Sequence, residues 1–258
     1  MKWMLIILSG MIGASMGSFL NVVARRTIEN DRWWGNERSR CDHCGHELSF
    51  WDLVPLFSYI SHGGKCRYCS EPIGASYLIV ELTGFLIGAV LAWRWGGSLA
   101  ALTSLIISYG LLLNALTDIY SGYIYDLFAW IPGVLVFFIR VAFGGPWIAL
   151  DSLFGALLGA GLIGFIIFLS KGKMGWGDAS LMGGTGLALG FKMTALSLYM
   201  GFMIGGTVAL ILLILRKVGR KDAIVFGPFL ALGTFVCLVF GPLVLSYLGF
   251  DAPWPWSI

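Results

Sequence analysis

Charge is scarce in this chain. Its 258 residues include 17 Lys and Arg and 14 Asp and Glu, 12% in all, against 58% hydrophobic residues. Soluble domains carry about 25% charged residues, so this composition excludes a chain bathed in water along its length. Polar sequence is scarce too. Residues 24–75 form the one extended polar stretch, which leaves room for a single sizeable water-facing element. Cysteine is limited to five positions, four of them in that stretch. The net charge of +3 says little by itself, and nothing in the composition points to a nucleic-acid partner.

What the chain does have is apolar length. The mean hydropathy is +0.84, and the 11 Trp and 36 Gly suit a membrane, where Trp marks interfaces and Gly is tolerated in spanning helices. Runs of about twenty apolar residues cross a bilayer. Spans are expected near 3–23, 76–94, 98–116, 126–143, 148–169, 179–191, 193–215 and 224–249. The sixth is short and rich in glycine (Gly183, Gly184, Gly186, Gly190), which suggests tight packing against neighbours or a re-entrant piece shielded by protein. The fold class is therefore an all-α polytopic membrane protein with about eight transmembrane helices. Its parts are a first helix at 1–23, a cytoplasmic loop at 24–75 and a polytopic region at 76–258.

The positive-inside rule orients these spans. With the N-terminus outside, the cytoplasmic side holds Arg25, Arg26, Arg32, Arg38, Arg40, Lys65, Arg67, Lys171, Lys173, Arg216, Lys217, Arg220 and Lys221. The other side keeps only Lys2, Arg94, Arg140 and Lys192. Arg25-Arg26 directly after the first span mark it as an N-out anchor rather than a cleaved signal peptide.

The loop contains Cys41-Asp-His-Cys44 and Cys66-Arg-Tyr-Cys69, two CxxC pairs. Each such turn aims two thiolates at one metal, so the pattern suits a closed tetrahedral zinc site of structural type. A redox CxxC and a pair of disulfides are the alternatives, although a reducing cytosol disfavours disulfides. Gly45, Gly63 and Gly64 suit tight knuckle turns, His43 and His46 are competing ligands, and Cys237 reads as a small buried hydrophobe.

Asp118 and Asp178 sit at the ends of hydrophobic segments, sixty positions apart. Ionisable groups in or near a bilayer cost roughly 2.5–3.5 kcal/mol on insertion scales and are usually functional. Two carboxylates at short range share a proton, the machinery of aspartic proteolysis. Gly175 and Gly177 flank Trp176 and let the backbone fold closely around Asp178. Position alone also allows both aspartates to be helix caps or headgroup anchors, and it favours that reading for Asp126. Glu81, inside the second span, fits active-site support, a cofactor contact or a structural pair; Asp151 reads as a boundary residue without a role. A proton or cation transporter would also use such carboxylates, but it gives the cysteine loop no task.

With these residues in place, the chain resembles the type IV prepilin peptidases, membrane aspartic proteases with a GxGD motif. Gly13-Ala-Ser-Met-Gly17-Ser18-Phe19-Leu20-Asn21 is similar to the family's N-terminal signature. The CxxC pairs around Trp51-Asp-Leu-Val-Pro55 look like its cytoplasmic loop, and Tyr77-Leu-Ile-Val-Glu81-Leu-Thr-Gly84 like the stretch after it. Asp118 and Gly175-Trp-Gly177-Asp178 fall where the family's two catalytic aspartates belong. A departure is Ile124-Tyr125-Asp126, where the family often has a proline in place of Tyr125.

The resemblance implies endoproteolysis of prepilins and pseudopilins after a glycine, at the cytoplasmic face of the bacterial inner membrane. Asp118 and Asp178 would be catalytic, Gly175, Gly177 and Glu81 supporting, and Cys41, Cys44, Cys66 and Cys69 zinc ligands. It also implies N-methylation of the new N-terminus with S-adenosylmethionine, for which the sequence offers no nucleoside-binding motif. A member that only cleaves is the nearest alternative. The sequence leaves the oligomeric state and the pilus, secretion or DNA-uptake system open.

Overall fold

The computed structural model describes residues 2–32, 38–171, 174–217, 219 and 225–257. The basic residues Lys173, Arg220 and Lys221 lie outside the described residues, as does the first position of the expected 224–249 span. The chain divides into two compact units, Met1–Gly96 and Gly97–Ile258. Among the described residues all regular elements are helical, apart from two isolated β-bridges. Among the described residues, seven helices are long and apolar enough to cross a membrane.

The first unit comprises α1 (Lys2–Ile28), a 3₁₀ turn at Phe50–Leu53, α2 (Phe57–Ser61) and α3 (Ala75–Trp95). Glycine sets the contact between its two long helices. A Cβ on Gly17 would lie 2.7 Å from the Val80 carbonyl, and one on Gly84 would run into the Gly13 carbonyl. Small residues four apart let two helix backbones touch, which is how spans associate where lipid removes the hydrophobic drive. The N-terminal Gly13-x-x-x-Gly17 signature is therefore a packing surface for α3.

The second unit comprises α4 (Leu99–Ser121), α5 (Asp126–Gly144), α6 (Trp147–Leu169), α7 (Trp176–Leu189), α8 (Phe191–Ile214) and α9 (Gly227–Tyr247). Ser98 caps α4, its hydroxyl accepting the Ala101 amide at 3.3 Å. Gly122, at φ +72°, ends the helix. With 14 residues, α7 corresponds to the short, glycine-rich sixth span and is shorter than the other helices of this unit. It is buried at almost every position from Asp178 to Leu189. Its glycines are there to be packed against: Cβ atoms at Gly184 and Gly186 would strike the carbonyls of Ala129 and Gly155, and Gly159 of α6 abuts the Met182 carbonyl.

Arg140 and Asp151 carry more than boundary charge. Arg140 is fully buried and donates to Asp151 Oδ2 (2.9 Å), Ser152 Oγ (2.8 Å) and the carbonyls of Ala188 (3.0 Å) and Trp254 (3.0 Å). Asp151 Oδ1 accepts the Phe191 amide at the start of α8. Asp151, expected to have no role, thus ties α5, α6, α8 and the C-terminal segment through its partner. A buried pair of this kind is costly to break on one side only.

Candidate active site and candidate metal centre

Gly122 terminates α4 one turn after Asp118, its amide donating to the Asp118 carbonyl at 2.8 Å. That stop leaves the carboxylate in the last helical turn, 6% exposed. Its Oδ2 accepts the amide of Gly227, the first residue of α9, at 3.0 Å. A Cβ on Gly227 would come within 2.5 Å of that oxygen, so only glycine lets α9 approach so closely. Sequence reading missed Gly227. The only local signal was Gly227-Pro228, a helix start with proline in the first turn.

Asp178 sits in the first turn of α7, equally buried, and its amide donates to the Gly175 carbonyl at 3.2 Å. Its Oδ1 is buried without a hydrogen-bond partner among the described residues, a place suited to a water or a substrate amide. The structure brings Asp178 and Asp118 close enough for the charge of one to bear on the other.

The two GxGD glycines differ. A Cβ on Gly177 would lie 2.8 Å from the Ile124 Cβ, whereas one on Gly175 would have ordinary room, 3.8 Å from Asp178 Oδ2. Gly177 is required by Ile124, not by the carboxylate. Ile124 also reaches toward Gly227, so one side chain wedges between the approach to Asp178 and the approach to Asp118. Tyr125, where the family often has proline, is extended at φ −86°. That is within about 20° of the angle proline enforces, so the turn survives the substitution. Asp126 simply opens α5.

Glu81 lies in the first unit, whereas both aspartates belong to the second. Its Oε1 accepts the Ser18 hydroxyl (2.9 Å) and its Oε2 the Leu56 amide (2.8 Å). The carboxylate thus ties α3 to α1 and to the loop.

The Sγ atoms of Cys41, Cys44, Cys66 and Cys69 all lie within 4.8 Å of one another. Four sulfurs at the usual 2.3 Å from a tetrahedral zinc are about 3.8 Å apart, so the cluster has the right dimensions. The two knuckles repeat one design. Cys41 donates to the His46 carbonyl and its own carbonyl accepts Gly45; Cys66 donates to Glu71 and accepts Ser70. The left-handed position is Gly45 (φ +69°) in the first and Ser70 (φ +61°) in the second. Gly63 and Gly64 instead close α2, not a knuckle. The backbone amides of Cys44 and His43 draw the Cys41 thiol down to about 6, readying a thiolate. The Glu71 amide pulls Cys69 the same way, but desolvation and the neighbouring thiols push it up to about 12. A dication would relieve that crowding. His46 stacks on Tyr68 and stays out of the cluster. Cys237 is buried in α9, as expected.

Two family models match the chain: the Bacterial Peptidase A24 N-terminal domain over residues 11–95 and the Type IV leader peptidase family over 105–214. The gap between the two matches falls where the two units divide, and the second match ends before α9. The chain is 31% identical to the prepilin leader peptidase/N-methyltransferase of Pseudomonas aeruginosa, over 93% of this chain and 92% of that protein. It is 31% identical to the protein so named in Pseudomonas putida, over 95% of both. The Bacillus subtilis protein of that name is 28% identical over 81% of this chain and 84% of its own. No solved structure matches the chain. Similarity of this extent, end to end and in both units, makes the chain a member of the type IV leader peptidase family.

Proposed function

We propose that this protein is a bifunctional prepilin leader peptidase and N-methyltransferase of the bacterial inner membrane. It is a multi-pass protein that cleaves the leader of type IV prepilins and pseudopilins after a glycine, then methylates the new N-terminus. The observation that carries the reading is the convergence of Asp118 and Asp178, from α4 and α7, within a family of leader peptidases. Both are the catalytic residues of this proposal. Gly177 and Gly175 shape the approach to Asp178, and residues 76–258 hold the peptidase. The thirteen basic residues on one side of the spans put the N-terminus outside and the aspartates at the cytoplasmic face.

The chemistry follows from two carboxylates sharing one proton. The ionised carboxylate takes a proton from water, whose oxygen attacks the carbonyl carbon of the glycine. The protonated carboxylate polarises that carbonyl oxygen. Collapse of the tetrahedral intermediate breaks the C–N bond and hands a proton to the departing amine. The Gly227 amide fixes Asp118 by one oxygen and leaves the other for this work.

Zinc is the metal that four thiolates in a closed cluster suit, and its role is structural because no coordination position remains for water. Cys41, Cys44, Cys66 and Cys69 would hold it and fix residues 24–75 as a cytoplasmic zinc loop. S-adenosylmethionine, when bound, supplies an electrophilic methyl group.

Intact-mass analysis of a synthetic prepilin, incubated with the purified protein and S-adenosylmethionine, tests the reading. Wild type should release the leader after the glycine and add about 14 Da to the mature product. Asp118→Asn and Asp178→Asn should each lower cleavage by about a thousandfold or more. Cleavage surviving either substitution removes that aspartate from catalysis.

A further inference from the structure

N-methylation needs a second reactant, and the first unit holds a cavity of about 360 Å³ that the peptidase chemistry does not use. We infer that this cavity, enclosed by the end of α1, the cysteine loop and the start of α3, binds S-adenosylmethionine, with Glu81 beside the sulfonium and Arg26 beside the carboxylate. The inference rests on the methyltransferase reading above.

Size is the first argument, because sites for ligands of this class occupy roughly 300–1,000 Å³. Charge is the second. The lining sets Arg25, Arg26, Arg40, Lys65 and Arg67 against Glu29, Asp42, Asp52, Glu71 and Glu81. A ligand with a carboxylate, an ammonium and a sulfonium is matched by both signs within one site.

Glu81 is the third. With one oxygen on the Ser18 hydroxyl and the other on the Leu56 amide, it is a fixed anion at the cavity wall. The Leu56 backbone is held at φ +64°, a conformation non-glycine residues avoid. Strain of that kind persists where the surrounding structure imposes it, and it gathers at ligand sites. The Leu56 amide in that conformation is the one that Glu81 accepts. A flat surface is the fourth: the Arg25 guanidinium lies 4.6 Å over the Tyr77 ring, and the Tyr77 hydroxyl donates to Asp42 at 2.9 Å. Guanidinium planes stack on nucleobases, so this pair suits the adenine.

The transfer balances without another reactant. The lone pair of the new N-terminal amine attacks the methyl carbon, and the C–S bond breaks with its electron pair on sulfur. S-adenosylhomocysteine leaves as a neutral thioether, and the methylated ammonium loses a proton to water.

The test uses the full-length, zinc-loaded protein in lipid nanodiscs, titrated calorimetrically with S-adenosylhomocysteine. Wild type should bind one equivalent. Glu81→Gln, Arg26→Ala and Tyr77→Leu should each weaken binding tenfold or more at unchanged zinc content, and Arg26→Lys should recover part of the loss. Photo-cross-linking of radiolabelled S-adenosylmethionine, mapped by peptide mass, should label residues within 18–81. Label confined to residues 97–258, or all three variants binding like wild type, overturns the site while methylation stands. A wild type that cleaves but neither binds the probe nor methylates its product ends the methyltransferase reading, and the site with it.

Discussion

The two units differ in how much they enclose. The second buries polar groups among helices: Asp118, Asp178, Arg140, Ser197 and Thr234 are nearly inaccessible, and glycine lets the helix backbones close over them. The first leaves much of its loop in the open, with Phe50 and Trp51 77% and 67% exposed and a cavity in its side. Order in the second unit comes from backbone contact along long helices. In the loop it comes from four thiols, two knuckles and Glu81. Helix contact and loop closure are thus built from different materials in one chain.

Breaking the thiol cluster should separate the units most sharply. Structural zinc contributes roughly 10–16 kcal/mol in small zinc-finger peptides. Cys41→Ser with Cys66→Ser, or chelation of the metal, should therefore unfold residues 38–75 alone. Trypsin should then cut at Arg40, Lys65 and Arg67 at least a hundredfold faster, while helix content measured by circular dichroism falls by only a few per cent.

Breaking a glycine contact should act on the other unit. Gly184→Leu would drive a side chain into the Ala129 carbonyl, costing about 3 kcal/mol and abolishing cleavage. Gly206→Ala, with open space around it, should instead raise helix stability by up to about 1 kcal/mol. Thermal unfolding in detergent distinguishes the two.

Ser70→Gly sharpens the comparison by improving the loop. It removes a left-handed non-glycine residue and should stabilise the metal-loaded loop by about 1 kcal/mol, read as a higher chelator concentration for release.

The smallest effect is a titration. Burial raises the Asp52 carboxyl, but the Ser49 hydroxyl and amide, the Tyr68 hydroxyl and the Arg67 charge outweigh it and leave it below the usual range. Such a group adds stability that is full above about pH 4 and is lost as pH falls through its lowered value. Trp51 fluorescence should report release of the 3₁₀ turn as pH falls below about 4, and Asp52→Asn should flatten that response.

Much of this was legible in the sequence because the signals are local. Apolar length located the helices, CxxC spacing located the thiol cluster, and isolated carboxylates in apolar surroundings located Asp118 and Asp178. What stayed hidden depends on contacts between distant residues. The Gly227 amide meets Asp118 across 109 positions, and nothing in Phe226-Gly227-Pro228 names that partner. Arg140 looked like an outside charge, because four acceptors drawn from α6, α7 and the C-terminal segment leave no pattern in the chain. The knuckle glycines misled for a related reason. Backbone sign at Ser70 is set by closure of the turn, which a serine tolerates when its neighbours are pinned.

The shortness of α7 carries a consequence for its surroundings. Fourteen helical residues cover about 21 Å, whereas the hydrocarbon core is about 30 Å thick. A helix of that length falls about 9 Å short of crossing it, and Asp178 stands in its first turn. Protein covers α7 at almost every position from Asp178 to Leu189, so the shortfall is met by neighbouring helices and not by hydrocarbon. The carboxylate thus begins a helix whose surroundings are protein on nearly every side.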